Sequence, residues 1–263
     1  MNFFGQKKSV ENTSETPMKH FIAIEGNIGA GKSTLLNKLK KQHKDVCFIN
    51  EPHYRWQNVN GYNLLDEFYR DMQRWAYSFQ NYAFLTRTEE VEKAFIENKD
   101  KSLFISERSI YSDFYTFAGI CHSIGYINKL EWNMYGQWYD WLTKSYTKKI
   151  DGFIYLRTRP SVAYDRIMKR SRKEEESVSL EYLAMLNDAH ENWLIHKKDI
   201  NNNDLTGNAP VLVLDGEIDF ATNDLEWDCF VERIKSFVYK ICTNGKHKDF
   251  DAISMYDDSF IYE

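Results

Sequence analysis

The amino-acid sequence predicts an α/β fold, a parallel sheet covered by helices on both faces, and three observations carry that prediction. Short β-branched or aromatic runs alternate with longer helical patterns along the chain. A glycine-rich loop that obeys G-x-x-x-x-G-K-[ST] separates the first run from the first helical segment. Several runs end in a carboxylate or lead straight into polar residues, and ligands of such sheets sit beyond the carboxyl ends of the strands.

The elements follow in order. FIAIE (21–25) reads as a buried strand, and a helix is predicted over 32–43. VCFINE (46–51) is a second strand, closed by Pro52, which has no N–H to donate to a ladder. A helical pattern over 62–98, with a break, leads to a third strand, SLFISE (102–107). Helices over 109–124 and 128–147 precede DGFIYL (151–156). Helices over 160–171 and 180–199, a loop NNNDLTGN (201–208), the strand PVLVLD (210–215) and a helix over 224–243 complete the pattern. Parallel strands need crossovers, so helices must cover both faces. No repeat and no linker divides the chain. One domain is expected over 20–243, with a disordered arm over 1–19 and an acidic, aromatic tail over 244–263.

Composition bounds the partners. With 263 residues, 43% hydrophobic and 28% charged, a soluble globular protein with a substantial core is expected. A net charge of −5 argues against a general nucleic-acid binder, because phosphate backbones select basic surfaces. No apolar run approaches the length of a bilayer span, so no membrane partner is expected. Cys47, Cys121, Cys229 and Cys242 show neither C-x-x-C pairing nor zinc spacing; reduced, mostly buried thiols in a cytoplasmic protein are expected. The first 19 residues hold no Arg and include Glu11 and Glu15, which disfavours a mitochondrial presequence.

The phosphate end is the most explicit. In the stretch Gly26, Asn27, Gly29, Gly31, Lys32, Ser33, Thr34, the glycines let backbone N–H groups converge on phosphate oxygens. The helix N-terminus adds partial positive charge. Lys32 is placed to reach the terminal phosphates of a nucleoside triphosphate, and Ser33 to offer its hydroxyl to Mg²⁺. Arg166 and Arg170 lie one helical turn apart, Arg172 follows, and Glu174, Glu175 and Glu176 come next. A solvated charge run would look the same; beside a phosphate loop the cluster reads as an arginine-rich lid that clamps a migrating phosphoryl group.

The acceptor end is less explicit. Glu51, at the end of the second strand, can act as a general base or be an ordinary strand-end acid. Glu107 is suited to hold Mg²⁺ through water, Arg108 to orient an oxygen beside Glu51, and Asp113 follows; capping serines with structural charges are the plainer alternative. Gln80 and Arg87, seven apart, share a face of an aromatic-rich helix. A Gln amide sets a donor beside an acceptor, as reading a base edge requires, although such a stripe is more often core.

Taken together, "IEGNIGAGKST", "EPHYRW", "RWAYSFQNYAFLTR", "ERSIYSDFY", "DGFIYL", "RIMKRSRKEEE", "LEYLAMLNDAHENWLIH" and "PVLVLDGEIDF" resemble, in fixed order from about residue 20 to 242, the deoxyribonucleoside kinases of the deoxycytidine, deoxyguanosine and mitochondrial thymidine kinase group. The resemblance implies a P-loop kinase fold with a five-stranded parallel sheet and phosphorylation of a deoxyribonucleoside by ATP or another nucleoside triphosphate with Mg²⁺. It implies that Glu51 activates the 5′-hydroxyl with Arg108 beside it, and that Tyr69 and Glu175 bind the 3′-hydroxyl. It further implies that little room is left at the 2′ position, that Gln80 pairs with the base, and that Trp56 and Phe117 line or stack on it. Arg166, Arg170 and Arg172 match the lid arginines, Asp219 and Phe220 the loop that contacts the donor's base. A homodimer through two helices, in part 62–98 and 109–147, is also implied.

The charged pair Arg87 and Asp113 resembles the deoxycytidine and deoxyguanosine types and is expected to crowd the thymine methyl group. Ala83 resembles the deoxycytidine type, whereas "VLVLD" and "ENWLIHK" lean to the deoxyguanosine type. Phe114 departs from both, which carry Arg there. Gly29 stands where the deoxycytidine type has Ala, and the glycine is expected to be harmless to the loop. A nucleoside monophosphate kinase is a rival reading, disfavoured because Glu51 would repel a 5′-phosphate. A non-catalytic nucleotide-binding homologue is the other, disfavoured because Lys32, Glu51, Arg108 and the lid arginines are kept together.

Overall fold

The computed structural model describes residues 18–243 except 146, 200, 202–204 and 206–208. The expected arm, most of the 201–208 loop and the C-terminal tail therefore lie outside the described residues. Five strands form one parallel sheet in the order β2-β3-β1-β4-β5: β1 (His20–Glu25), β2 (Cys47–Ile49), β3 (Leu103–Glu107), β4 (Gly152–Arg157) and β5 (Val211–Asp215). The helices are α1 (Lys32–Gln42), α2 (His53–Gln57), α3 (Leu64–Arg70), α4 (Met72–Glu97), α5 (Ile110–Ser112), α6 (Gly119–Ser123), α7 (Lys129–Ser145), α8 (Pro160–Arg170), α9 (Leu180–His190) and α10 (Asp224–Cys242).

The strands are near-continuous apolar runs because both faces are covered. On one face Ile22, Ile24, Ile154 and Leu156 pack with Leu35, Leu36 and Leu39 of α1 and with Trp227, Phe230 and Ile234 of α10. On the other, Phe21, Phe104, Phe153 and Tyr155 meet Trp193 and Phe95. A third cluster, Trp56, Phe68, Phe79, Ala83 and Tyr135, lies under neither face; it carries the helices that rise above the carboxyl ends of the strands. The high aromatic content serves this cluster and the one before it.

Helix limits follow from local chemistry. The break expected within 62–98 falls at Asp71, whose side chain accepts from Arg74 N–H at 3.0 Å and so caps α4. Pro160 opens α8, and Ser171, left-handed at φ 52°, ends it. Four expectations need correction. β2 stops at Ile49, so Glu51 sits beyond the strand, in the connection to α2, a short helix that the sequence reading missed. The single helix expected over 109–124 is interrupted by a π-helical turn, Asp113–Ala118. The helix expected over 180–199 ends at His190 and continues only as a π turn to Ile195. Of the four cysteines, Cys47 and Cys121 are buried but Cys229 and Cys242 are exposed, so "mostly buried" was too strong; all four are unpaired.

Gly29 fits the loop by its conformation and its packing. Its φ is +79°, and a Cβ there would stand 2.4 Å from the Ala163 carbonyl oxygen and 3.0 Å from Ile167 Cγ1. An L residue in that conformation costs about 1–2 kcal/mol before any clash. Gly29→Ala is therefore expected to displace α8 from the loop and weaken nucleotide binding by about tenfold or more, read by calorimetric titration with ATP.

Candidate active site

The sheet delivers its chemistry at one end. Gly26, at φ +145°, turns the chain out of β1 so tightly that a Cβ would lie 2.6 Å from the Leu156 carbonyl oxygen. The loop then enters α1 through Gly31 at φ +100°. Asn27 braces the loop: its Nδ2 donates to the Leu183 carbonyl at 2.8 Å and its Oδ1 accepts from Ile28 N–H. Lys32 Nζ is folded back on the Asn27 carbonyl at 2.7 Å. Burial above all, then the Arg108 charge, lowers the Lys32 ammonium to about 7. A polyanion in the loop would reverse that direction.

Ser33 Oγ donates to Glu107 Oε1 at 2.6 Å, so the residue that opens α1 and the one that closes β3 meet. Both offer oxygen, as a hard cation such as Mg²⁺ requires. Among the described residues no group of three or more His, Cys, Asp or Glu is placed to hold a metal. A cation here would complete its shell with phosphate oxygens and water, the usual state of Mg²⁺ in kinases.

Glu51 lies at the centre of a buried charge network. Its Oε1 accepts from Arg87 Nη2 at 2.8 Å and lies 3.3 Å from Arg108 Nε. Oε2 lies 3.3 Å from His53 Nε2. Burial raises the affinity of this carboxyl for a proton, but the Arg87 and Arg108 charges, joined by His53 when its ring is protonated, hold it well below the usual carboxylate range. Arg87 is shared: its Nε donates to Asp113 Oδ2 at 2.8 Å and its Nη2 to Asp113 Oδ1 at 3.1 Å. The π turn that begins at Asp113 rotates this carboxylate onto α4, and such turns recur at functional sites. Arg108 is held left-handed at φ 61°, with its guanidinium 4.6 Å from the Phe117 ring centre. Strain of that kind persists where surrounding structure over-determines it.

Two residues of this network were missed from sequence. Glu25, wholly buried at the end of β1, accepts from Ser109 Oγ at 2.5 Å and is pushed up to about 7 by burial, against the Arg108 charge. His53 was passed over because a turn two residues long brings it onto Glu51; the only signal was a His beside a candidate base.

One cavity of about 340 Å³, within the usual range for small-molecule sites, joins both ends. It is lined by Gly29, Gly31, Lys32, Ser33 and Thr34 at the phosphate end, and by Glu51, Trp56, Tyr69, Gln80, Arg87, Asp113 and Phe117 at the other. Glu107, Arg108, Arg166, Arg170, Arg172, Glu175, Asp219 and Phe220 also line it; Gly26 and Asn27 do not. Gln80 Nε2 is buried without a partner. Trp56 is anchored through Nε1–H to Thr86 Oγ1 at 2.9 Å. Glu175 takes Arg170 on one carboxylate oxygen and Arg172, at 3.4 Å, on the other. Gln57 and Asn63 both donate to Glu174 at 3.0 Å, which ties the lid to α2 and α3. Arg166 donates to the Gly216 carbonyl at 2.6 Å. Burial and then the Glu175 charge push the Tyr69 hydroxyl above its ordinary range. Phe220 is mostly a core ring, stacked on Phe230 at 4.9 Å. Phe114 points away from the cavity, stacked on Tyr139 at 4.1 Å.

Comparison with known proteins agrees with this geometry. A family model for deoxynucleoside kinases matches residues 22–239. The chain is 42% identical over 233 residues to a probable deoxycytidine kinase of fowlpox virus, covering 88% of this chain and 93% of that protein. It is 39% identical to deoxycytidine kinase 2 of Gallus gallus and 34% identical to the mitochondrial deoxyguanosine kinase of Xenopus laevis, each over 82% of this chain and 89% of the relative. The chain belongs to the deoxynucleoside kinase family and is a phosphotransferase.

Proposed function

We propose that the protein moves the γ-phosphoryl group of ATP, or of another nucleoside triphosphate, to the 5′-hydroxyl of a deoxyribonucleoside in nucleotide salvage, with deoxycytidine and purine deoxynucleosides favoured over thymidine. The observation that carries this reading is the single cavity with Lys32 and Ser33 at one end, Gln80 and the Arg87–Asp113 pair at the other, and Glu51 between.

In-line phosphoryl transfer needs positioning and charge more than covalent chemistry. Gly26–Thr34 and Lys32 cradle the triphosphate. Arg166, Arg170 and Arg172 neutralise charge that develops on the migrating group. Glu51 accepts the hydroxyl proton while Arg108 fixes its direction. Tyr69 and Glu175 take the 3′-hydroxyl, and Asp219 and Phe220 border the donor's base. Mg²⁺, held by Ser33 and through water by Glu107, would screen the β and γ oxygens.

Base choice follows from what the far wall offers. Gln80 Nε2, buried without a partner, supplies a donor to a base acceptor. The two-point ion pair of Arg87 with Asp113 presents polar atoms suited to an exocyclic amine and sets charge where a methyl group would have to sit. Relatives named for deoxycytidine and deoxyguanosine both support this; neither base is singled out. The test is Mg²⁺- and ATP-dependent phosphorylation of deoxycytidine, deoxyguanosine, deoxyadenosine and thymidine side by side. Thymidine ranking first would overturn the account of base choice; ATP binding with no turnover of any of the four would overturn the assignment.

The catalytic unit is assigned to residues 20–243, acting as a homodimer. Leu130, Met134, Trp138 and Trp141 present an exposed apolar stripe along α7, each more than 40% exposed, with Leu85 of α4 exposed as well. Trp138→Glu with Trp141→Glu is expected to give a monomer in sedimentation; an unchanged dimer would move the interface elsewhere. The cytoplasm is the assigned compartment, supported by four unpaired cysteines. Among the described residues no helix is long and apolar enough to cross a membrane.

A further inference from the structure

Glu51 Oε1 is engaged by two guanidinium groups, Arg87 at 2.8 Å and Arg108 at 3.3 Å, which leaves Oε2 as the oxygen with capacity to receive a proton. Oε2 faces the imidazole of His53, whose Nε2 lies 3.3 Å away. The contact is made by a tight turn in which His53 N–H donates to the Glu51 carbonyl at 2.9 Å as the chain enters α2. Trp56, one turn along α2, sets its ring across the imidazole, with centroids 5.1 Å apart and planes at 66°. The His53 side chain is 28% exposed and lines the cavity, so its ring exchanges protons with solvent.

We propose that His53 is a positioning residue for the proton acceptor: its imidazole, with Nε2 3.3 Å from Oε2 of Glu51, keeps that oxygen towards the cavity, and protonation of its ring withdraws the acceptor. The inference rests on the reading of Glu51 as the base. A neutral imidazole is an uncharged donor and leaves Oε2 a lone pair for the substrate hydroxyl. An imidazolium is a charge-assisted donor, roughly twice as strong, and the third cation set against one carboxylate. The O5′–H bond then has no competent acceptor as the new O–P bond forms.

The groups facing the ring come from four elements: Glu51 from its own connection, Glu107 from β3, Arg172 from the lid and Arg87 from α4. Burial disfavours the charged ring most, the two carboxylates favour it, and the two arginines oppose it; the outcome lies below the ordinary imidazole value. The sign follows. The ring is neutral and the acceptor available above that titration, and activity falls on acidification at a pH under the ~6.5 of a free imidazole. The Arg87 and Arg108 charges hold Glu51 below the usual carboxylate range, so the ring is the group of this pair assigned to the acid limb.

The experiment measures kcat and KM of the full chain from pH 5 to 8.5, with saturating nucleoside and Mg²⁺–ATP, for the wild type, His53→Gln and Glu51→Gln. Expected for the wild type is an acid limb approaching about tenfold per pH unit, coincident with titration of the His53 ring proton by NMR. His53→Gln keeps a neutral donor; it should lose the acid limb, lower kcat about three- to tenfold at pH 8, and leave nucleoside KM nearly unchanged. His53→Asn is the second variant should His53→Gln not fold. An acid limb that persists in these variants overturns the proposal, because it then belongs to the nucleotide or to another group. Should Glu51→Gln retain turnover, the reading of the base itself fails, an outcome distinct from loss of the His53 inference alone.

Discussion

Glu51→Gln is expected to lower turnover by about two to four orders of magnitude while changing nucleoside affinity only a few-fold. The substitution keeps the shape of the side chain and an oxygen acceptor for Arg87 and Arg108. It removes the ability to take a proton. An interaction made only in the transition state is lost, so kcat and kcat/KM fall together. Folding should survive, because Arg87 retains its two-point pair with Asp113. Stopped-flow turnover with nucleoside binding by calorimetry, and a thermal melt as control, gives the answer. Near-normal turnover removes Glu51 from the mechanism.

The second large effect is on base choice. Arg87→Met combined with Asp113→Ala is expected to raise the thymidine-to-deoxycytidine ratio of kcat/KM by about 10- to 200-fold, the range that a methyl-sized change in a pocket commands. The double change vacates the space and charge that the pair holds against the floor of the cavity. It also removes the Arg87 bond to Glu51 at 2.8 Å, so turnover with every nucleoside should fall even as the ratio rises. Asp113→Ala alone is a different experiment. It leaves a buried guanidinium, 3% exposed, short of one partner, and breaking such a pair costs about 3–5 kcal/mol. The single variant should thus melt well below the double one. A ratio that stays put in the double variant would show that base choice lies elsewhere in the wall.

The phosphate end was legible in the sequence because its chemistry is local. Gly26 through Ser33 is one turn between one strand and one helix, and spacing alone puts backbone N–H groups and Lys32 together. The five strands were legible for a similar reason, since each reads as a short apolar run, buried almost throughout in the central strands and partly so in β5. The Arg166–Arg170 pair was legible as two residues one helical turn apart.

The acceptor end was read mainly by resemblance, since Glu51, Arg87 and the Arg108–Asp113 segment come from three separate stretches with no periodicity among them. Glu25 gave no signal, being one more acid after an apolar run. The π turn at Asp113 was invisible to a pattern search tuned to 3.6 residues per turn, yet it is what aims Asp113 at Arg87. The close packing at Gly29 was not legible, because the space for a Cβ there is set by Ala163 on α8, more than a hundred residues away. The sequence by itself thus determined the fold class, the order of the strands along the chain and the phosphate loop, all written in contacts between near neighbours. Only the tertiary structure decided which charges share Glu51 and which pair with Asp113. Those depend on distances among side chains from distant segments, and electrostatics in a buried site changes steeply over each ångström.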